Sequence, residues 1–240
     1  MTSFSHAAAE MNRSLDPTGR SSRLVDIYLT AKDVVIEQGF AWEIDWQAGR
    51  RLDRVQESDF LRESAWTVLS AGFRESVVRR LFESISEAFL GWHSAALIHG
   101  SRAGCKQAAL HVFRNERKIN AILDIAAIVA ECGFETIRSR IREDGISFLR
   151  TLPYIGPVTA FHLAKNLGLP VVKPDRHMQR IAKAAGLGSP HELCEMIADR
   201  VGDPIQVVDV VLWRYATLFS NYVAVFAALS NPCCPDTRPL

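Results

Sequence analysis

One carboxylate stands alone among basic residues in the second half of the chain. The acid is Asp175, and the basic residues around it are Lys165, Lys173, Arg176, Arg180 and Lys183. A carboxylate in this setting can stabilise positive charge that develops on a sugar held among those basic side chains. Asp175 also follows Pro174 at a predicted helix start, where an aspartate commonly serves as the N-cap. Both roles stay open at this point.

The segment before Asp175 predicts two short helices joined by a tight turn. The first helix is predicted over 146–150 and ends before Pro153, and the second runs over 159–167 and stops at Gly168. We expect Gly156 to give the turn a backbone conformation closed to other residues. Backbone N–H groups at the start of the second helix would bind one DNA phosphate. An ordinary turn between helices produces the same pattern.

Taken together, the two motifs resemble the helix-hairpin-helix superfamily of DNA glycosylases, which act in base-excision repair. The resemblance is carried by residues 152–160, LPYIGPVTA, and by Pro174-Asp175 followed by a helix at a similar spacing. The run 175–178, DRHM, is most similar to the 8-oxoguanine glycosylase branch. A weaker similarity covers 60–89. The resemblance implies two interleaved helical subdomains with a cleft for DNA and the flipped base between them.

By this resemblance, Asp175 is the catalytic residue. It would stabilise an oxocarbenium-like sugar and position or deprotonate the attacking water during hydrolysis of the N-glycosidic bond. The base must first be flipped out of the duplex. His177 matches a position that contacts the phosphate of the target nucleotide, although a histidine there can also serve the helix start. The implied DNA-phosphate contacts are Tyr154, Gly156, Val158, Thr159, Lys173, Arg176 and His177.

Two hairpin positions depart from the family pattern. Bifunctional members carry a Schiff-base lysine where this chain has Val158, so we predict a monofunctional glycosylase without lyase activity at that position. Lys165 and Lys173 are the nearest alternative amines, and phosphate contact is the favoured role for both. Tyr154 replaces the first hairpin glycine, where a positive φ would cost about 1–2 kcal/mol. We expect either a differently shaped turn, which is favoured, or an aromatic surface toward DNA.

Base recognition needs aromatic surface, and a side chain must fill the gap left by the flipped base. The candidates for pocket or wedge are Trp66, Phe73, Arg74 and Trp213. Phe73 or Arg74 stands where some relatives insert a glutamine, and Trp213 lies on a late helix that lines the pocket in relatives. For any single aromatic residue, packing in the core is the more frequent role.

Composition narrows the class of protein. The 240 residues are 48% hydrophobic and 23% charged, which is typical of a globular fold. A net charge of +1 gives no bulk attraction to nucleic acid, so binding must depend on local basic surfaces. A second basic cluster, facing either DNA or solvent, comprises Arg102, Lys106, Arg114, Arg117 and Lys118. Five cysteines without repeated spacing predict no disulfide framework, no metal site and no iron–sulfur cluster.

Helical periodicity runs through most of the chain and strand-like alternation is nearly absent, which predicts an all-α fold. We predict tails at 1–20 and 231–240 around one domain at 21–230, which holds the hairpin at 146–167 and the catalytic loop at 171–177. Asp59 is the expected N-cap of an early helix. The remaining predicted helices cover 23–39, 76–92, 105–113, 118–132, 134–142, 190–201 and 205–229.

The predicted partner is double-stranded DNA that contains a damaged or modified base, bound by a monomer in the bacterial-type cytoplasm and nucleoid. No membrane partner and no required cofactor are expected, while a monovalent cation at the hairpin is compatible with the resemblance. The excised base stays open among oxidised purines, alkylated purines and other modified bases. The alternative is a non-enzymatic helix-hairpin-helix protein that grips the DNA backbone. Asp175 separates the two, since an acid beside phosphates would only repel DNA in a pure binder.

Overall fold

A computed structural model describes residues 19–228, and every regular element in that part of the chain is a helix. The all-α prediction is therefore confirmed. Of the two predicted tails, 1–20 and 231–240, only Gly19 and Arg20 lie within the described residues, and Arg20 already begins the first helix.

The chain divides into two compact units. The continuous unit is Gly49–Lys173, and the split unit joins the chain up to Ala48 to the chain from Pro174. The continuous unit contains α3 (Glu57–Ser70), α4 (Glu75–Ala88), α5 (Ala95–Gly100), α6 (Arg102–Val112), α7 (Glu116–Cys132), α8 (Phe134–Asp144), α9 (Ile146–Leu149) and α10 (Pro157–Asn166). The split unit contains α1 (Arg20–Val35), α2 (Ala41–Gly49, whose last residue falls beyond Ala48), α11 (Arg176–Ala184), α12 (Pro190–Val201), α13 (Ile205–Leu218) and α14 (Tyr222–Ala227).

In the continuous unit, α7 is the central helix and packs against α3, α5 and α6. Its Ile119, Ile122 and Ile125 are buried in one apolar cluster that extends to Leu163 of α10. Asn115 caps α7 by accepting the Lys118 N–H at 3.2 Å. The start of α3 differs from the prediction: Gln56 is its N-cap, and Asp59 lies in the first turn and accepts the Gln56 N–H at 3.0 Å.

In the split unit, α1 packs against α12 and α13. The buried Tyr28 hydroxyl donates to Asp203 at 2.5 Å, and Lys32 approaches the same carboxylate at 2.7 Å. Burial raises the pKa of Tyr28, and the bond to Asp203 raises it further. The predicted helix over 205–229 is wrong in length. It ends at Leu218, and the chain turns before α14 begins.

The C-terminal end of α10 is held by α3 and by the segment that precedes α3. The buried carboxylate of Glu63 accepts from Asn166 at 2.9 Å, and Arg50 donates to the Asn166 carbonyl at 3.0 Å. Burial raises the pKa of Glu63, while Arg62 at 3.0 Å acts in the opposite direction. Gly168 follows with a φ of +89°, and a Cβ there would lie 2.7 Å from the Arg51 nitrogen. Only glycine fits this position.

We expect Gly168→Ala to lower the free energy of unfolding by about 2–4 kcal/mol, because the left-handed backbone and the overpacking against a backbone both contribute. Urea unfolding of both proteins measures the difference. Gly104→Ala is the matched control, since Gly104 lies exposed inside α6 with nothing near its Cβ position. That substitution should stabilise the protein by up to about 1 kcal/mol. Equal stability of Gly168→Ala and wild type would contradict the close approach.

Candidate active site

The segment that the sequence predicts as a hairpin contains α9, the turn 150–156 and α10, and is called the hairpin below. Gly156 is the N-cap of α10, and Pro157 occupies its first position, which suits proline because no partner is needed for its nitrogen. Thr159 closes the cap: its Oγ1 accepts the Gly156 N–H at 2.7 Å and lies 3.2 Å from the Gly156 carbonyl. Val158 is exposed on the first turn. The start of α10 is therefore an exposed helix N-terminus with an apolar residue beside it.

The left-handed residue of this turn is Tyr154, with a φ of +65°. Two expectations are therefore wrong. Gly156 is extended, with a φ of −93°, and a Cβ there would make only an ordinary contact with Thr159. The favoured idea of a differently shaped turn also fails, because Tyr154 adopts the positive φ and its side chain stays 42% exposed. Strain of this kind is typical of functional sites.

We expect Tyr154→Gly to be more stable than Tyr154→Ala by about 1 kcal/mol, because both lose the ring and only alanine keeps the cost of the left-handed backbone. Urea unfolding of the two variants measures the difference directly. The same pair at Arg80, which is exposed inside α4, should show the opposite order, with alanine the more stable by about 1 kcal/mol. The same order at both positions would contradict the strain at Tyr154.

Asp175 is the N-cap of α11 and lies in the split unit. Its Oδ1 accepts the backbone N–H of His177 at 2.9 Å and that of Met178 at 3.2 Å. Capping fixes the orientation of the carboxylate, which remains half-buried. Asp175 therefore serves the helix start, and a fixed, partly accessible carboxylate also meets the requirement for facing a developing cation.

The first turn of α11 also holds the predicted phosphate ligand His177. Its Nδ1 lies 3.1 Å from the hydroxyl of the buried Tyr222, whose ring packs against the imidazole. The Nε of the exposed Arg176 lies 3.4 Å from the other ring nitrogen. Tyr222 was missed by sequence reasoning, because nothing local links α14 to α11. It orients the His177 ring.

The basic residues around Asp175 do not act as one set. Arg176, Arg180 and Lys183 are exposed along one face of α11. Lys173 is half-buried. The prediction that Lys165 makes a solvated phosphate contact is wrong, because its side chain is only 5% exposed. His162 of α10 carries no charge at neutral pH, since burial and then Lys173 and Lys165 lower its pKa well below the usual range. The basic surface is therefore the exposed face of α11, with Lys173 beside it in sequence.

The four pocket or wedge candidates occupy different settings. Trp66 is partly buried against the core of the continuous unit, edge-on to Phe82 at 5.0 Å. Trp213 of α13 packs against the guanidinium of Arg214 at 4.7 Å in the split unit. Phe73, 45% exposed, lies in the loop after α3, and exposed Arg74 caps α4. Phe73 and Arg74 are thus accessible side chains on a loop, whereas Trp66 packs as core.

Lys118 contradicts the prediction that it belongs to a basic surface. It is 1% exposed, and its Nζ donates to the carbonyls of Leu69 at 2.7 Å and Ala71 at 2.6 Å. The ring centroids of Phe73 and Tyr154 lie 4.5 and 5.5 Å from the same nitrogen. Burial lowers the pKa of this amine to about 8, so it is mostly protonated at pH 7. Its helical spacing with buried residues 122, 125 and 129 was the signal for an inward position.

Two kinds of feature, a metal-binding group and a membrane-spanning helix, are absent from the residues that the structure describes. Over residues 19–228 there is no group of three or more His, Cys, Asp or Glu side chains arranged to hold a metal ion. No helix in that range combines the length and apolar character needed to cross a membrane.

Comparison of the chain with protein-family models, with curated proteins and with solved structures finds no match in any of the three. The resemblance to helix-hairpin-helix glycosylases stays a prediction from the motif residues 152–160 and 174–178.

Proposed function

We propose that this protein is a monofunctional DNA glycosylase that hydrolyses the N-glycosidic bond of a flipped damaged or modified base, with Asp175 as its catalytic residue. The observation that carries the proposal is a carboxylate fixed by two backbone N–H groups at the start of a helix with an exposed basic face. This aspartate follows the end of α10 after the eight residues 167–174. A polyanion bound to that face would bring a sugar within reach of the carboxylate.

The chemistry assigned to Asp175 is balanced without a cofactor. The bond between the sugar C1′ and the base nitrogen breaks, and its electron pair leaves with the base. The carboxylate stabilises the cationic sugar, water adds to C1′, and the proton from that water passes to the carboxylate and then to the base anion, which leaves the carboxylate ionised again. Val158 carries no amine, so the proposal includes no Schiff base at this hairpin position. The two backbone donors keep the carboxylate in one orientation throughout.

Phosphate binding is assigned to the exposed N-terminus of α10 and to the basic face of α11. At the hairpin, helix N–H groups and the helix dipole attract an anion. On α11, the exposed cations Arg176, Arg180 and Lys183 repeat at helical spacing, and so can follow one DNA backbone. His177, oriented by Tyr222, would add one directional contact.

The capping bonds of Asp175 also favour a second candidate, a non-enzymatic protein that only grips the DNA backbone. In that case the carboxylate serves α11 alone. Both candidates predict DNA binding that weakens with salt, since phosphates release counterions on binding. Only the glycosylase predicts free base.

The test is a mass-spectrometric screen for bases released from duplexes carrying oxidised purines, alkylated purines or other modified bases. A released base, together with an abasic product that is not cut and not trapped by borohydride, is the expected result. Salt-dependent binding without release of any base would favour the backbone-gripping protein. The absence of both binding and release would exclude the two candidates together.

A further inference from the structure

The buried Lys118 ammonium connects two separate pieces of the continuous unit. Its two short hydrogen bonds go to the carbonyls of Leu69 and Ala71, at the end of α3, where helix carbonyls lack partners within the helix. Positive charge at that end also suits the helix dipole. The same ammonium lies under Phe73 of the following loop and Tyr154 of the hairpin turn. One cation therefore fixes the loop after α3 and a ring of the hairpin.

Both rings on this cation remain accessible. Phe73 is 45% and Tyr154 is 42% exposed, whereas Phe113, the third ring near the cation, is buried and packs against Phe73 at 5.2 Å. Phe73 and Tyr154 therefore each lie against one hydrogen-bonded buried charge while part of each ring faces solvent. Tyr154 also has a left-handed backbone, a strained conformation of the kind that clusters at functional sites.

The exposed arginines that adjoin this cluster in the chain favour a polyanionic partner. Each of three members of the cluster has an exposed arginine next to it in the chain: Arg74 follows Phe73, Arg114 follows Phe113, and Arg117 precedes Lys118. The adjacent acid Glu116 is paired with Lys106 at 2.7 Å. Aromatic rings bordered by arginines are the chemistry that stacks on unpaired nucleobases, because every base offers a π face and each backbone phosphate a charge.

We propose that Lys118 is a positioning residue that holds Phe73 and Tyr154 as one exposed two-ring surface, and that this surface stacks on a nucleobase left unpaired in DNA. The inference rests on the proposed DNA-binding function and extends it to the strand position where pairing is broken. Lys118 itself does not touch the base, since it is buried. Removing its charge should release both rings from their places without removing either one.

The test compares binding of the full-length protein to two duplexes of one sequence. In the first, 2-aminopurine lies opposite a tetrahydrofuran abasic analogue, and in the second it is paired with thymine. Fluorescence anisotropy measures each affinity, and 2-aminopurine fluorescence reports stacking. Wild type should bind the duplex with the abasic analogue more tightly than the paired duplex, and should quench the 2-aminopurine fluorescence. Phe73→Ala, Tyr154→Gly and Lys118→Met should each reduce that preference about tenfold, the effect of losing one aromatic stack. Binding to the paired duplex should change less than twofold.

Arg142→Met is the matched control, because it removes the charge of an exposed cation of α8 in the same unit, outside the cluster of Lys118, Phe73 and Tyr154. It should keep the wild-type preference and quenching. Full quenching by a folded Lys118→Met protein would overturn the inference. Should Lys118→Met fail to fold, the double variant Phe73→Ala with Tyr154→Gly decides. If both rings stack on one base, the double variant should lose less of the binding preference than the product of the two single-variant losses. Fully independent losses would overturn the shared surface.

The outcomes separate this inference from the proposed glycosylase. Preference for the duplex with the abasic analogue, without release of any base in the screen, would support the stacking surface and contradict catalysis by Asp175. Base release with no effect of the ring variants would support the glycosylase and overturn the stacking surface. Failure of the wild type to bind either duplex would overturn both.

Discussion

Asp175→Asn is expected to retain DNA binding and to slow base release by roughly a hundred- to ten-thousand-fold, the range for losing a catalytic carboxylate. Asparagine is as good an N-cap as aspartate, so α11 should start at the same residue and the free energy of unfolding should stay nearly constant. What the variant loses is the negative charge that stabilises the cationic sugar in the proposed mechanism. Single-turnover release of the base found in the screen measures the effect.

Two companion variants separate catalysis from capping. Asp175→Ala removes the bonds to the His177 and Met178 N–H groups as well as the charge, and should cost about 1 kcal/mol of stability that Asp175→Asn does not. Asp199→Asn makes the same chemical change on an exposed residue of α12 and should leave release at the wild-type rate. Unchanged release by Asp175→Asn on every substrate would remove Asp175 from the mechanism and leave it as a cap.

Arg214→Met is expected to lower the free energy of unfolding by about 3–5 kcal/mol, because it leaves a buried carboxylate without its charge partner. Glu43 and Arg214 are both less than one-tenth exposed, and two hydrogen bonds of 2.8 and 2.5 Å join them. Phe40 and Trp213 lie against the guanidinium at 4.2 and 4.7 Å, so methionine would also lose these aromatic contacts. Urea unfolding with a constant m value measures the loss.

The double variant Glu43→Leu with Arg214→Met tests the cause. Replacing both partners with apolar residues removes the buried carboxylate that Arg214→Met deprives of Arg214, so the double variant should be more stable than Arg214→Met alone. Lys106→Met breaks an exposed ion pair and should leave the free energy of unfolding nearly unchanged. A double variant less stable than Arg214→Met would show that the loss comes from packing around the guanidinium rather than from the buried charge of Glu43.

Local features of this chain could be predicted from sequence because their causes lie within a few residues. Helical spacing of apolar residues predicted α7 and α12 nearly to their ends, and the proline and glycine signals placed both ends of α10 within about two residues. The capping position of Asp175 follows from the same local rules, since Pro174 forces an extended entry into α11. The break after Leu218 was missed because the apolar pattern continues across it.

The charged residues of the sequence predicted the wrong basic surface wherever burial decided whether a side chain is exposed or charged. Lys118 and Lys165 count as cations in any sequence window, yet both are buried, and His162 is neutral because of its surroundings. Whether a basic residue faces solvent depends on the helices that pack over it, which lie far away in the chain. The exposed part of the basic pattern is Arg176, Arg180 and Lys183, whose spacing along α11 is itself local.

By itself, the sequence determined the all-helical class, the cap at Asp175 and the position of the break before α10, since propensity, capping and proline geometry act over one or two helical turns. Only the tertiary structure decided that Tyr154, rather than Gly156, takes the left-handed backbone, and that its ring shares Lys118 with Phe73. These residues lie in three distant parts of the chain. Their arrangement follows from how α3, α7 and the hairpin pack around one buried charge, and no local pattern contains that information.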